Sequence, residues 1–543
     1  VNTEPDTEPL LNLVLGDVLS RQARENQNEN FLRFREGDLT YGEVDEMVNR
    51  VAQGLISLGI GPGQHVAVMV PNQPEILYSI FSLATLGAVS VPINTDYHSE
   101  LLRHVVHSSD ATTLIIDSRY IDRIPPLAAR LPRLERLVVC GADAAEAARR
   151  PLGKPAITLN SLLGNGNERP LIEVGFSDLQ AIQYTSGTTG PSKGVMVSHA
   201  HALMCSLDSL NYLDRWGKTS YSPLPLYHGS ALWDGVFSAL LCGGSVGIVE
   251  RFSASRFWDD VRFFRAEVAM SVFTMIPILL NPPPSARDRD HPLEMFYTGK
   301  SALDDTLRER FGVRSVETYS SAETGLPIAS PYGEWRPGSM GRVVADKYEA
   351  AVVDERDFVV GPGVAGELVI RPKLPSIVMG GYYGAPEATA QCFRNMWLHT
   401  GDRVWQDEDG YFYFLDRMRD AIRRRGENIS AFDLECEVNL HPAVLETAAI
   451  AVPSELGEDD VKLAVVLRPE ATLAPDELIE FCAEKLPRFM VPRYVEFVDS
   501  LPRTGNDKVA KYLLRAQGEH GITPNTWDRD KPVVAEAGAG EGA

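Results

Sequence analysis

The chain has 543 residues, 44% of them hydrophobic, enough for one large core and a second, smaller one, because single cores stop growing near ~250–300 residues. Asp and Glu outnumber Lys and Arg by 74 to 52, and the net charge of -22 sets up a field that repels nucleic-acid backbones and anionic membrane surfaces. Six scattered cysteines without a C-x-x-C spacing argue against a disulfide framework or a thiolate metal site. A reducing cytoplasm is therefore expected. The opening VNTEPDTEPL lacks a basic and apolar leader, and no long apolar run predicts a membrane span.

Thr40 and Glu43 predict a capping box, followed by Val44, Met47, Val48, Val51, Leu55 and Leu58 at helical spacing until Gly59 to Gly63 ends the helix. HVAVMV, the apolar helix PEILYSIFSLATLG and AVSVPIN then alternate as a parallel sheet covered by helices does. The rhythm returns in ATTLIID, GGSVGIVE and EVAMSVF, which predicts an α/β body with more than one sheet. From Gly366 the texture shifts to short antiparallel strands, GELVIR and GYFYFL, and the charged run DRMRDAIRRRGEN marks a boundary. Beyond it, AFDLECEVNLH and APDELIEFCAEKL predict helices, while TAAIAVP, KLAVVLRP and RYVEFVDS predict strands of a small separate α/β lid. The closing KPVVAEAGAGEGA has little bulk to pack, and 518–543 is expected to be a disordered tail.

One stretch concentrates chemistry. In YTSGTTGPSKG, Thr185, Ser186, Thr188, Thr189 and Ser192 offer hydroxyls, Gly187, Gly190 and Gly194 let backbone N–H groups turn inward, and Lys193 adds a cation. The pattern reads as an anion cradle, with a flexible polar loop as the alternative. It is not a Walker A loop, because Lys193 is followed by Gly194 instead of Ser or Thr.

Five further segments accompany it in order: PLYHGSALWDG ending at Gly235, YSSAET at 319–324, LHTGD at 398–402, DRMRDAIRRRGENIS at 416–430 and LPRTGNDK at 501–508. Together they resemble the adenylate-forming (ANL) superfamily of acyl-CoA synthetases, peptide-synthetase adenylation domains and luciferases. The texture is closest to carnitine or crotonobetaine CoA ligases. The resemblance implies an N-terminal domain over 1–417, a hinge at 418–420 centred on Arg419, and a C-terminal lid over 421–517 that rotates between two half-reactions. In the first, a small-molecule carboxylic acid attacks the α-phosphate of Mg-ATP to give acyl-AMP. In the second, the thiol of coenzyme A displaces AMP.

Roles follow from that scheme. Thr185, Ser186, Gly187, Thr188, Thr189, Gly190 and Lys193 would hold the β- and γ-phosphates, and Glu323 would ligate Mg²⁺. Gly299, Lys300 and Ser301, with Tyr319, Ser320, Ser321 and Ala322, would surround the nucleotide. Asp402 would accept from the ribose with Arg417 beside it, and Lys508 would bridge acid and phosphate oxygens during adenylation. His228 is a candidate catalytic residue near the acyl group or the thiol's path. Trp233, Met275, Tyr297 and Pro327 are candidates for the acyl pocket. Arg425, Gly426 and Glu427 would border the pantetheine channel, while Arg423 and Arg424 read as a solvated face.

Three motifs depart from the resemblance, at Lys300, at Ser320 (where the family has glycine) with Ala322, and at Asp507, and all bear on ATP. Lys300 stands where the strand backing the adenine has glycine, so its stem competes with the base for space. Ala322 replaces a threonine whose hydroxyl meets the α-phosphate, a loss of ~1.5–3 kcal/mol. Asp507 stands before Lys508, where at ~6 Å and an effective dielectric of ~20 a carboxylate is worth about 3 kcal/mol against another unit charge. The expectation is an acyl-CoA ligase that works from ATP or acyl-AMP with a weak or lost adenylation step, the acyl-AMP coming from a separate adenylating enzyme. A fully competent ATP-dependent synthetase and a stand-alone adenylation enzyme loading a carrier protein are the alternatives. The second is disfavoured because no room for a carrier domain follows Lys508.

Overall fold

A strand covered by helices on both faces needs an unbroken apolar run, and VAVM, VSVP and TLIID supply one. In the computed structural model, which describes residues 8–531 apart from 165, 186–190, 273–274, 298–302, 335, 418–420, 456 and 504–508, these runs lie side by side and parallel. Their sheet has seven strands among the described residues, in the order Ala156–Thr158, Arg136–Cys140, Thr113–Asp117, His65–Met69, Val89–Pro92, Leu179–Thr185 and Lys193–Ser198. Only the last pair is antiparallel, and its register sets Thr185 opposite Lys193. The two ends of the expected phosphate loop are thereby fixed facing each other.

A second seven-stranded sheet runs Arg314–Val316, Met295–Tyr297, Val268–Met270, Ser220–Ser222, Val246–Ile248, Asn30–Phe34 and Gly37–Thr40, with antiparallel pairing only at its last strand. Gly37–Thr40 leads into the helix Tyr41–Ser57, whose capping box forms as the sequence predicts: the Thr40 side chain accepts from the Glu43 N–H and the Glu43 carboxylate accepts from the Thr40 N–H. Val44, Val48, Val51 and Leu55 of that helix share one apolar core with Val66 and Val68 of the first sheet and Val246 and Val268 of the second. The antiparallel texture expected from Gly366 is present in Tyr348–Val353, Gly366–Pro372, Trp397–Gln406 and Phe412–Arg417. Among the described residues no helix is long and apolar enough to cross a membrane.

The chain divides into two compact units between 418 and 419. In the second unit the expected helices appear as Ala431–Val438 and Pro475–Lys485. The expected strands appear as Val444–Pro453, Asp459–Leu467 and Tyr494–Phe497. Arg425 and Gly426, both at positive φ, are the two-residue turn of the hairpin Ala421–Arg424 and Glu427–Ser430. Such a turn favours glycine, which gives Gly426 a local structural reason as well as its implied place beside the pantetheine arm.

Two expectations are corrected here. Arg424 is no solvated residue: it is 4% exposed, pairs with Asp460 at 2.9 Å and donates to the carbonyls of Phe489 and Val491. The segment from 518 to 531 is not a disordered tail. Its Trp527–Asp528 adds a strand to Tyr494–Phe497, and Asp528 is gripped by Arg493. The physical reason is Lys462, whose buried ammonium pairs with Glu496 and donates to the Gly521 carbonyl, while Thr523 and Thr526 donate to the same carboxylate at 2.7 and 3.0 Å. A buried charge needs such partners, and this segment supplies them.

Glu496→Gln strands the Lys462 ammonium, and breaking a buried pair from one side costs on the order of 3 kcal/mol. Burial opposes the Glu496 charge, but Lys462 and the two threonines outweigh it and hold its carboxyl below the ordinary value. The unfolded chain therefore takes up the proton first as pH falls. The wild type's advantage over Glu496→Gln in denaturant midpoint should be full at neutral pH and shrink through the ordinary carboxylate range. Equal midpoints at pH 7 would contradict it.

Candidate active site

The strand Lys193–Ser198 is pinned on both edges. On one side it pairs with Leu179–Thr185; on the other, Gly380 N–H donates to the Met196 carbonyl at 2.9 Å, Met196 N–H to the Gly381 carbonyl at 3.0 Å and Tyr383 N–H to the Gly194 carbonyl at 2.8 Å. A side chain at Gly194 would meet Ile182 Cγ2 at 2.5 Å, so this crossing requires glycine. The near end of the loop is held as firmly: Tyr184 Oη and Ser108 Oγ are 2.6 Å apart, and His104 Nε2 lies 2.8 Å from the Ser192 carbonyl.

Beside Thr185, at the first end of the loop, stands Glu323. It follows the strand Tyr319–Ser321, and the Met379 N–H holds its carbonyl at 2.9 Å. Its Oε1 accepts from Thr185 Oγ1 at 3.4 Å and from Tyr382 Oη at 3.1 Å. Lys193 Nζ lies 5.1 Å from the centre of the Tyr382 ring. Burial, and then the Glu323 charge, push the Tyr382 phenol well above its ordinary value, so it stays a donor. Both donors use Oε1. Oε2 is left for a cation, and a carboxylate oxygen is the hard donor that Mg²⁺ prefers, so the residues present fit that ion.

The expected ribose partner is ordered too. Asp402 is 6% exposed, sits opposite Arg417 in the antiparallel register, and its Oδ2 accepts from Tyr319 Oη at 2.7 Å. The loop that presents it hangs on Glu367, which accepts from the Gly401 N–H at 2.9 Å and whose Oε2 lies 2.9 Å from His399 Nδ1. Asp357, Glu367 and His399 together have the spacing of a metal site. Arg394 fills that role instead, donating to Glu367 at 3.0 Å and to both Asp357 oxygens at 3.2 Å. Its guanidinium holds the Asp357 carboxyl below the usual range.

In YSSAET, Ser320 is exposed and Ala322 packs against the core. Thr324 does not replace the hydroxyl that Ala322 lacks, because its Oγ1 is buried, 2.9 Å from Ser321 Oγ, and donates to the Gly325 carbonyl. Of the acyl-pocket candidates, Trp233 packs with its ring 5.4 Å from that of His201, and Tyr297 lies under the buried Arg215, 4.9 Å from guanidinium to ring. Arg215 also donates to the Asp234 carbonyl at 2.7 Å, so Trp233 and Tyr297 border one interior polar knot. Met275 and Pro327 are buried on separate elements, and His228, half-buried, precedes the helical segment Gly229–Ala231. Ser186, Gly187, Thr188, Thr189, Gly190, Gly299, Lys300, Ser301, Arg419, Asp507, Lys508 and the Arg417 side chain lie outside the described residues. Tyr382 is the residue that sequence reasoning missed; its only local signal is the glycine pair before it in MGGYY.

A carboxylate held by Thr185 at one end of a phosphate-type loop and by Tyr382, on this two-unit α/β fold, is the equipment of an adenylate-forming ligase. Residues 19–383 match the family described as AMP-binding enzyme, and 433–508 match the AMP-binding enzyme C-terminal domain. A crotonobetaine/carnitine–CoA ligase of Salmonella paratyphi B is 31% identical over 496 residues, spanning 88% of this chain and 93% of that protein. ATP-bound MatB from Rhodopseudomonas palustris is similar in structure, with a TM-score of 0.66 and 26% identity over 92% of this chain and 98% of that one. A double mutant of the o-succinylbenzoate CoA synthetase of Bacillus subtilis shares the fold, with a TM-score of 0.78 and 23% identity over 92% of this chain and 98% of that one. The chain belongs to the AMP-binding enzyme family and is an AMP-forming acid–thiol ligase, an acyl-CoA synthetase.

Tyr319→Phe removes the 2.7 Å donor to Asp402 while keeping the ring. If Asp402 receives the ribose hydroxyls, AMP affinity measured by calorimetry should fall roughly tenfold, the low end of what a hydrogen bond to a charged group contributes. Unchanged affinity would separate Tyr319 and Asp402 from the nucleotide.

Proposed function

We propose that this enzyme joins a small carboxylic acid to coenzyme A through acyl-AMP, and that its own adenylation from ATP is slow, with preformed acyl-AMP from a separate adenylating enzyme as the productive entry. The observation that supports the second half is Thr324: its hydroxyl is committed to Ser321 and the Gly325 carbonyl, so the threonine of YSSAET does not compensate for Ala322. Lys300 and Asp507 point the same way from the sequence. The relatives named for crotonobetaine and carnitine make small polar acids the first class to test. Six free thiols support an expected reducing cytoplasm.

In this reading Thr185 and Lys193, with the hydroxyls and N–H groups between them, bind the outer phosphates, and Glu323 offers Oε2 to Mg²⁺. The ion, when bound, would neutralise phosphate charge. Asp402 orients the ribose, Lys508 balances charge on the acid and α-phosphate oxygens, and Gly426 with its neighbours borders the thiol's approach. Arg419 keeps its proposed place as the hinge. A fully competent synthetase is the second reading, favoured by the ordered contact of Thr185 with Glu323.

Purified protein given acid, ATP and labelled pyrophosphate should exchange at least tenfold more slowly than it converts synthetic acyl-AMP and CoA to thioester, the minimum set by one lost charged hydrogen bond. Lys300→Gly should speed the exchange. Exchange as fast as thioester formation in the unaltered enzyme would replace the proposal by the fully competent synthetase.

A further inference from the structure

Tyr382 is 59 positions from Glu323 in sequence and joined to it by a 3.1 Å hydrogen bond. The same ring carries the Lys193 ammonium 5.1 Å from its centre, close enough for a cation–π attraction. One side chain therefore touches two groups of opposite sign. Among the described residues no direct ion pair joins Lys193 to Glu323, although one meets the face of this tyrosine and the other its hydroxyl. Such a pair would cancel the charge that each needs for its own ligand, phosphate for the ammonium and a divalent cation for the carboxylate.

The ring is not free to drift. Tyr382 N–H donates to Thr389 Oγ1 at 2.9 Å, and the carbonyl before it and the N–H after it are both bonded to the strand that begins at Lys193. Its hydroxyl and that of Thr185 donate to the same oxygen of Glu323, and neither uses Oε2. We infer, on the reading of Glu323 as the cation ligand, that Tyr382 is a positioning residue for the metal–nucleotide complex. Its hydroxyl aims Glu323 Oε2 at the cation, and its face seats Lys193 beside that carboxylate without letting the two pair. A neutral phenol suits the task, since it orients a carboxylate without neutralising it.

The test is a Mn²⁺ titration followed by electron paramagnetic resonance, on the full chain with a non-hydrolysable ATP analogue. Tyr382→Phe keeps the ring and loses the hydroxyl. It should bind Mn²⁺ about tenfold more weakly with an unchanged melting temperature, the scale on which partners of metal ligands act. Tyr382→Leu loses both and should in addition weaken binding of the analogue without metal, because Lys193 loses its seat. Glu323→Gln separates the two ideas. If it weakens Mn²⁺ binding while Tyr382→Phe titrates as the unaltered enzyme does, the positioning role is overturned and Glu323 stands as the ligand. If Glu323→Gln itself titrates normally, the reading of Glu323 falls and this inference with it.

Discussion

Everything at the site hangs on one reversal of direction. Leu179–Thr185 is laid down parallel to its neighbour in the sheet, and the chain then returns antiparallel as Lys193–Ser198, so that Thr185 and Lys193 face each other across a single register step. A loop closed by a strand pair loses little further entropy when it wraps a ligand, because its ends are already where they must be. Gly194 permits the return, since any Cβ there would collide with Ile182. The second edge of the returning strand is taken by the segment around Gly380 to Tyr383. That pairing, in turn, delivers Tyr382 to Glu323.

Two kinds of carboxylate can be told apart by what holds them. Glu367 and Asp357 are gripped by Arg394, Asp460 by Arg424 and Arg493, and Glu496 by Lys462. These pairs bury charge and are satisfied internally, which suits scaffolding. Glu323 receives hydroxyls from Thr185 and Tyr382, and Asp402 receives the hydroxyl of Tyr319. The hydroxyl donors to Glu323 fix its geometry without cancelling its negative charge. The triad Asp357, Glu367 and His399 illustrates the difference, for its spacing suits a metal and its occupant is an arginine.

Much of the fold was legible because it is periodic. Apolar runs flagged the parallel strands, Thr40 and Glu43 flagged a helix start, and the change of texture at Gly366 flagged an antiparallel sheet; these signals lie within a few residues of what they predict. The ordered motifs likewise marked Thr185, Lys193, Glu323 and Asp402. What escaped depends on long-range contacts. Arg424 reads as one of three consecutive arginines, and only the carbonyls of Phe489 and Val491, some 65 positions on, make it a buried one. Trp527 reads as a lone aromatic in a polar tail until Tyr494–Phe497 offers it an edge. Tyr382 carries only the glycine pair before it as a local mark, and its contact with Glu323 spans 59 positions.

The acidic balance of the chain gives these arrangements a common logic. With a net charge of -22, bringing a polyanion to the loop works against the protein's own field. Adding arginines beside Glu323 would ease that approach but would also quench the carboxylate that a divalent cation needs. Lys193 on the face of Tyr382 escapes the dilemma, because an aromatic face holds a cation close to a carboxylate without a proton or a charge passing between them. The positive and the negative charge are both kept, each in contact with the same tyrosine side chain. Within that arrangement Ala322 brings no hydroxyl and leaves the hydrogen bonds of Thr185 and Tyr382 to Glu323 intact.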